Sequence, residues 1–571
     1  MNDELYVSLS ERIVREAIAW QDDSGRIIDP FVARETPTAT PRFVGALAGL
    51  ILQGHCLDLA ENGCRALTVA AEDLFAAEEN SLAGAEFYTK ELVLGYLALA
   101  DKTDQPTVDR WARLLGTFDP EKNYDAVLSK RPADELHNFC TFGLAGEALK
   151  ARYGLAQNSE FIERHLVTQL SRFNSSGQYR DPDCPMTYDA VARMNLSLVL
   201  HSGYEGADAS LLDEMLRKGA LTMLPCLSST GEAPYGGRSN QQNFNEATVA
   251  LICEYESNRY HRLGDGEMAG RFKRTARLAT QSVQRWLELE PVRFTKNEFL
   301  PELQHGRQKT YGYYAAYSLL IASQFGFAGW LADSGIAETT TAGVGGQVTR
   351  LEEEFHKIFA TCGGYHLEID TCADLHYDAT GLGRLHKRGV PSETALSTPI
   401  VSSPEYLVSV PTAPRQVAIG PGWWRAGKVE WLSDMSSEIE SVEFQRLEES
   451  DERVSFRVVT HLNTLVRTVQ ETYRLSRSGL EVTCEVGGSP DNVLFQVPLL
   501  VTDGNHRAEI TSGDRFFKVI YQGHTYRVRC KNTGNVETRR EDFSAPNRNG
   551  VYEVGVFSAK GSSLACHLWI E

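Results

Sequence analysis

The sequence predicts a multidomain chain, an N-terminal (α/α) toroid followed by a C-terminal antiparallel β-sandwich. Three observations carry this. Apolar residues recur at three-to-four spacing up to about residue 335. Four apparent helix stops fall at Gly154, Gly203, Gly264 and Gly326, roughly 50–60 residues apart, which allows about two helices per interval. Beyond a glycine- and threonine-rich break at 338–346 the apolar period changes to two.

The helical part is read from the runs Phe43 to Leu52, Leu92 to Leu99, Leu196 to Leu200, Leu211 to Leu224, Phe272 to Leu287 and Tyr311 to Leu320. Stacked helical hairpins form either a solenoid or a closed toroid. The expected division is 1–337 for the toroid, 338–350 for a linker and 351–571 for the β domain. A short helix is expected near Leu351 to Phe359. Strands are expected at Val454–Val459, Leu465–Val469, Thr472–Leu475, Leu480–Val486 and Tyr526–Arg529, with a hairpin turn at Ser476–Gly479.

Composition narrows the partners. A chain of 571 residues is too long for one core. A net charge of −19 argues against nucleic acid or an anionic membrane surface as partner, but leaves room for an acidic sugar inside a local cationic cluster. No run of about 18 apolar residues exists, so no membrane span is expected. The start is acidic with no secretory signal, which predicts a cytoplasmic protein. Eleven dispersed cysteines without a CxxC pair fit a reducing compartment and speak against zinc knuckles.

The densest chemistry lies at Pro234-Tyr-Gly-Gly-Arg-Ser-Asn-Gln-Gln-Asn-Phe-Asn-Glu246, just ahead of an apolar helical run. Such a stretch is expensive to bury unless something binds it. Arg238 can clamp a carboxylate, with Asn240 and Gln242 as neutral donors; a well-capped surface turn is the simpler alternative. His137-Asn138, Tyr188-Asp189 and the segment from His305 through Tyr311 and Tyr313 stand at other expected helix mouths. In a closed toroid those mouths converge. A histidine beside an asparagine, or an N-terminal Asp, is equally a structural cap, and at least one of Tyr311, Tyr313 and Tyr314 belongs to the core.

In the β domain His366, Glu368 and Asp370 share one strand face, and with His376 they are a weak candidate metal set beside the alternative of solvated charges. Trp423-Trp424 is either a core plug or a sugar-stacking platform.

Helical toroid, linker and β-sandwich in that order, with Asn, Arg, His and Tyr at the helix mouths, resemble the α/α-toroid polysaccharide lyases of the heparinase II/III-like and oligo-alginate lyase group. The resemblance spans the chain in architecture and only short patches in motif. It implies a lyase that cleaves a uronic-acid-containing oligo- or polysaccharide by β-elimination, with no cofactor required. Carried over, Arg238, Asn240, Gln242 and Asn138 neutralise the carboxylate, and Tyr311, Tyr313, Tyr188, His137 and His305 supply the base or acid. Two departures stand: no histidine lies between Arg238 and Asn245, and Tyr377 to His386 does not match the expected His-rich strand pair. A glucuronidase-like glycoside hydrolase on the same scaffold is the alternative. It would use two carboxyl groups among Glu246, Asp189, Glu232, Asp374 and Asp378. A non-catalytic carbohydrate-binding protein, keeping Trp423 and Trp424, is the second.

Overall fold

The computed structural model describes residues 2–80, 82, 84–124, 135–296, 307, 312–339, 345–408 and 410–571. It separates into two compact units. The first holds Met1–Leu224, Gln242–Phe294 and Thr310–Thr340; the second holds Pro225–Gln241, Thr295–Lys309 and Thr341–Glu571. The chain therefore crosses between units several times, whereas the sequence reading places a single crossing at 338–350.

Twelve long helices are described in the first unit: α1 (Asn2–Ala17), α2 (Ala39–Leu52), α3 (Ala60–Phe75), α4 (Thr89–Leu99), α5 (Gln105–Thr117), α6 (Asn138–Arg152), α7 (Ser159–Leu170), α8 (Met186–His201), α9 (Ala209–Met223), α10 (Phe244–Arg262), α11 (Gly266–Leu287) and α12 (Tyr314–Leu331). The even-numbered helices make a closed ring. α2 packs on α4, α4 on α6, α6 on α8, α8 on α10, α10 on α12, and α12 returns to α2. The odd-numbered helices lie outside them, packed against the inner helices beside them.

Sequence chooses which helix goes where. α2 is buried from Ala39 to Ile51 and α12 from Tyr314 to Gly329, so neither offers a solvent face. Outer α9 buries a stripe, Leu212, Leu216, Gly219, Ala220 and Met223, and leaves the rest to water. A two-residue antiparallel ribbon, Ile28–Asp29 with Arg34–Glu35, interrupts the helices.

Glycine closes the ring. The expected stops at Gly154, Gly203 and Gly264 do take left-handed φ of 69°, 83° and 80° just past helix ends. Gly326 instead lies inside α12. A Cβ built on Gly49 of α2 would overlap the Gly326 backbone, and one on Gly326 would approach the Gly49 Cα to 3.3 Å. The two backbones can meet because Gly49 lacks a side chain, and at Gly326 a Cβ would fit only tightly. Buried polar bonds bind the seam. Glu91 of α4 pairs with Lys90 at 2.5 Å and accepts from Ser323 Oγ of α12 at 2.5 Å.

The second unit is antiparallel throughout its paired strands. One sheet has four strands in sequence order, Gln347–Arg350, Lys357–Cys362, Tyr365–Asp370 and Gly381–Lys387. A five-stranded sheet runs from Val536–Pro546 through Asn492–Thr502 to Lys428–Trp431, and an eight-stranded sheet from Glu509–Gly513 to Ile439–Glu449. All three contribute to one buried cluster that includes Ile358, Leu367, Trp423, Phe495, Phe456, Tyr473 and Leu568. The expected Ser476–Gly479 hairpin is present. Two local expectations fail. Residues 351–359 form a 3-10 turn at Glu353–Phe355 and then a strand, because Lys357–Cys362 pairs along its length with Tyr365–Asp370. Leu465 and Val466 lie in the bend before the strand Thr468–Ser476.

Ring closure predicts an inverted helix-propensity rule. Alanine normally stabilises a helix interior by about 1 kcal/mol over glycine. Gly49→Ala is expected to destabilise the protein by ~1–3 kcal/mol through overpacking, and Gly326→Ala by less. Chemical denaturation monitored by helical circular dichroism checks both sign and order.

Candidate functional site

A cavity of about 310 Å³ opens in the helical unit. Every inner helix reaches it with residues of its first turns or the segment just before: Thr38 and Arg42 at α2, Phe87 at α4, Asn138, Phe139 and Phe142 at α6, Tyr188 and Val191 at α8, Phe244 at α10, Tyr313 and Tyr317 at α12. The chain alternates inner and outer helices, so all six inner helices run the same way and present their N-termini together. Those termini carry the positive ends of the helix dipoles, which favour an anion.

Arg42 is the cation among the described lining residues. Its Nη1 donates to the Ala316 carbonyl at 2.9 Å, and its guanidinium lies 5.2 Å from the Tyr317 ring centre. Burial pushes its pKa down, opposed by the fields of Tyr317 and Glu91. The remaining guanidinium N–H groups suit an acidic group brought from outside. Sequence reasoning missed Arg42. Its one local signal is a Pro-Arg pair opening an otherwise apolar helix.

Asn138 is the first residue of α6. Its backbone N and its Nδ2 donate to Asp181 Oδ1 at 3.1 and 2.8 Å, and Nδ2 lies 3.1 Å from His137 Nδ1. Burial alone would raise Asp181, but the bonds from His137 and Asn138 hold its carboxyl below the usual range. Asn138 thus spends its backbone N–H and a side-chain N–H on Asp181, and leaves its side-chain oxygen without a partner among the described residues. Tyr313 precedes α12, and its hydroxyl accepts from Arg34 Nη2 at 3.3 Å. His137 caps α6 beside the cavity without being among its lining residues. His305 and Tyr311 lie outside the described residues.

Among the hydrolase candidates, Asp189 is tied to Arg193 at 2.7 Å and accepts from the Tyr179 N–H at 2.7 Å, so it braces α8 internally. Glu246 is buried and does not line the cavity. Gln242, expected as a donor, is buried with neither end of its amide partnered among the described residues.

Arg238 and Asn240 belong to the β unit. The turn that carries them is strained, with left-handed φ at Ser239 (60°) and Gln241 (61°) as well as at Gly236 and Gly237. It is tied to strand charges. Tyr235 N donates to Glu368 Oε2 at 3.3 Å and Gly237 N to Asp378 Oδ2 at 2.8 Å. Lys357 pairs with Glu368 at 3.2 Å and Asp370 at 3.0 Å, and stands 3.5 Å over the Tyr235 ring. Arg384 completes the network on Glu368 at 3.1 Å. Burial raises Asp378 to about 7, against the pull of Lys357.

The strand-face charges are therefore buried and internally neutralised rather than solvated. The candidate metal set also dissolves. Asp370 is spent on Lys357, while His376 is exposed beside Glu405 at 3.7 Å. Among the described residues no group of His, Cys, Asp and Glu is placed to hold a metal. Trp423 is a core plug whose Nε1 donates to Glu430, which removes it as a sugar platform; Trp424 is 43% exposed. Asp374 is exposed in the same unit. Among the described residues no helix is long and apolar enough to cross a membrane.

No protein-family model and no curated protein sequence matches the chain. Solved structures that match the chain include several polysaccharide lyases and, over 37% of this chain, an alpha-N-acetylgalactosaminidase from Bifidobacterium bifidum that is 14% identical, with a TM-score of 0.24. Heparinase III is 8% identical, covering 85% of this chain and 69% of its own, with a TM-score of 0.48. A mutant of the Streptomyces coelicolor A3 chondroitin AC lyase is 11% identical, covering 99% and 79%, with a TM-score of 0.49. A mutant heparan sulfate lyase from Pedobacter heparinus is 10% identical, covering 100% and 88%, with a TM-score of 0.36.

His366 gives this unit an acid-side liability. It is fully buried, and burial, helped by Arg384, lowers its pKa from 6.5 to about 3. The unfolded chain then binds a proton that the folded chain does not. The His366 contribution is complete above pH 6.5 and is lost as pH drops toward 3. His366→Phe is expected to flatten the stability–pH curve across that window, measured by urea midpoints at stepped pH.

Proposed function

We propose that this protein is a polysaccharide lyase that cleaves a uronic-acid-containing oligo- or polysaccharide by β-elimination, with the cavity at the inner-helix mouths as its sugar site. The observation that carries this is the gathering of one buried arginine, three tyrosines and a wall of phenylalanines at six helix N-termini. The aromatic rings suit the apolar face of a sugar. Arg42 and the helix ends suit its carboxylate.

Elimination needs the C5 proton removed from a weakly acidic carbon. The carboxylate's negative charge opposes this, and fixed donors that take up charge developing in the transition state are worth ~3–4 kcal/mol each. Arg42 does this in the proposed reading. A tyrosine oxygen, Tyr313 or Tyr188, takes the proton, and the other returns one to the leaving C4 oxygen. Elimination forms a C4–C5 double bond with no net oxidation and no added water. Glu86 is the carboxylate among the described lining residues, which supports elimination over hydrolysis by a carboxylate pair.

The test is an assay of the full chain against a panel of uronate oligosaccharides for the near-ultraviolet absorbance of an unsaturated product. Tyr313→Phe or Tyr188→Phe is expected to lower kcat by ~10²–10⁴-fold with little change in KM. A saturated product with a new reducing end and no absorbance rise would transfer the reading to a hydrolase.

Arg42→Gln is expected to raise KM for an acidic oligosaccharide about tenfold or more, since a charge-assisted hydrogen bond contributes ~1.5–3 kcal/mol, and to leave binding of a neutral reduced analogue nearly unchanged. Steady-state kinetics with the acidic substrate and competition by the analogue separate the two. Equal losses would make Arg42 a structural cation.

A further inference from the structure

Two turns from opposite ends of the β unit's sequence meet around a buried cation. Arg548 is 1% exposed. One of its terminal nitrogens donates to the Asn240 carbonyl oxygen, and its guanidinium stacks 4.2 Å from the Tyr406 ring centre. Its Nε and Nη2 have no hydrogen-bond partner among the described residues. Asp378 reaches it only as a field, and that carboxylate is already engaged by the Gly237 N–H. Burial pushes the Arg548 pKa down to about 10, the behaviour of a cation without a contacting counter-charge.

The flanking amides are equally idle. Asn549 and Gln241 are buried, and neither end of either amide has a partner among the described residues; the same holds for Asn240 Oδ1. The backbone around them is fixed. Asn547 Oδ1 accepts from the N–H groups of Asn549 and Gly550 at 2.7 and 2.9 Å, and the Gln241 carbonyl accepts from the Lys296 N–H at 3.1 Å. Gln241 and Ser239 hold left-handed φ without being glycine. Polar groups this deeply buried are normally paired.

We infer that the 238–241 turn and the 547–550 turn form a binding site for a small oxyanion, a carboxylate or sulfate group, held by the unused Nε and Nη2 of Arg548 with the Asn549 and Gln241 amides beside it. Water would satisfy the amides but leave the guanidinium charge uncompensated in a low-dielectric setting. An oxyanion does both, because its two oxygens match the fork of Nε and Nη2. The same chemistry serves a free anion or the acidic group of a sugar. The site stands apart from the elimination reading, and its test uses no activity.

The experiment is a thermal-midpoint titration of the full chain with sodium sulfate and, separately, sodium glucuronate, each against sodium chloride at matched ionic strength. The expected result is a saturable rise with at least one oxyanion beyond chloride. Asn549→Asp, which keeps size and adds negative charge, is expected to weaken the apparent affinity about tenfold or more, and Arg548→Gln to abolish the rise. Gln241→Glu is a second variant on the opposite turn should Arg548→Gln fail to fold, with the same expected weakening. A response to glucuronate alone assigns the site to sugar carboxylates, and a response to sulfate alone to sulfate. A rise that chloride reproduces, or one unchanged in Asn549→Asp and Gln241→Glu, overturns the site.

Discussion

The backbone contact between Gly49 and Gly326 is the constraint on which the helical unit depends. It lies where the last inner helix returns to the first, and without it α12 would stand off from α2 by at least a side chain. Each glycine gives up about 1 kcal/mol of helix propensity. The gain is close packing of α2 against α12 along their length, with the Glu91, Lys90 and Ser323 bonds sealed beneath. Closure has a functional consequence. Residues 42, 138, 188, 244 and 313 are scattered along the chain, yet the ring brings their helix mouths around one cavity. An open solenoid of the same helices would spread them along a face.

The β unit solves a different problem, that of burying charge. Lys357, Arg384, Glu368 and Asp370 form one alternating network, and the Tyr235 to Gly237 backbone is bonded into it. Breaking one member of such a network leaves its partner buried and unpaired, which costs ~3–5 kcal/mol. The network therefore fixes the position of the Arg238 turn more firmly than a solvated surface turn would. Arg548, among the described residues, has no carboxylate bonded to it, and that contrast within one unit gives its unused nitrogens their meaning.

Much of this was legible in the sequence. The change of period from three-to-four to two marks the change of architecture, and the glycines at 154, 203 and 264 end helices as their spacing suggests. Asn138, Tyr188 and Tyr313 stand at helix mouths as read, and the cavity gathers them. What was hidden depends on ring closure or on pairing across sheets. Gly326 looks like a helix stop because sequence cannot show the second backbone that needs it. Arg42 looks like a polar helix start because its partners, Ala316 and Tyr317, are far along the chain. His366, Glu368 and Asp370 look like a solvated face because the neutralising Lys357 and Arg384 lie on neighbouring strands.

The most direct measurement of the central claim is a crystal structure of the Tyr188→Phe or Tyr313→Phe protein with a uronate oligosaccharide bound. The account predicts a sugar ring against Phe87, Phe139, Phe142 or Phe244, with its carboxylate in hydrogen-bond reach of Arg42. An ordered oligosaccharide bound elsewhere, with no sugar in this cavity, would contradict it.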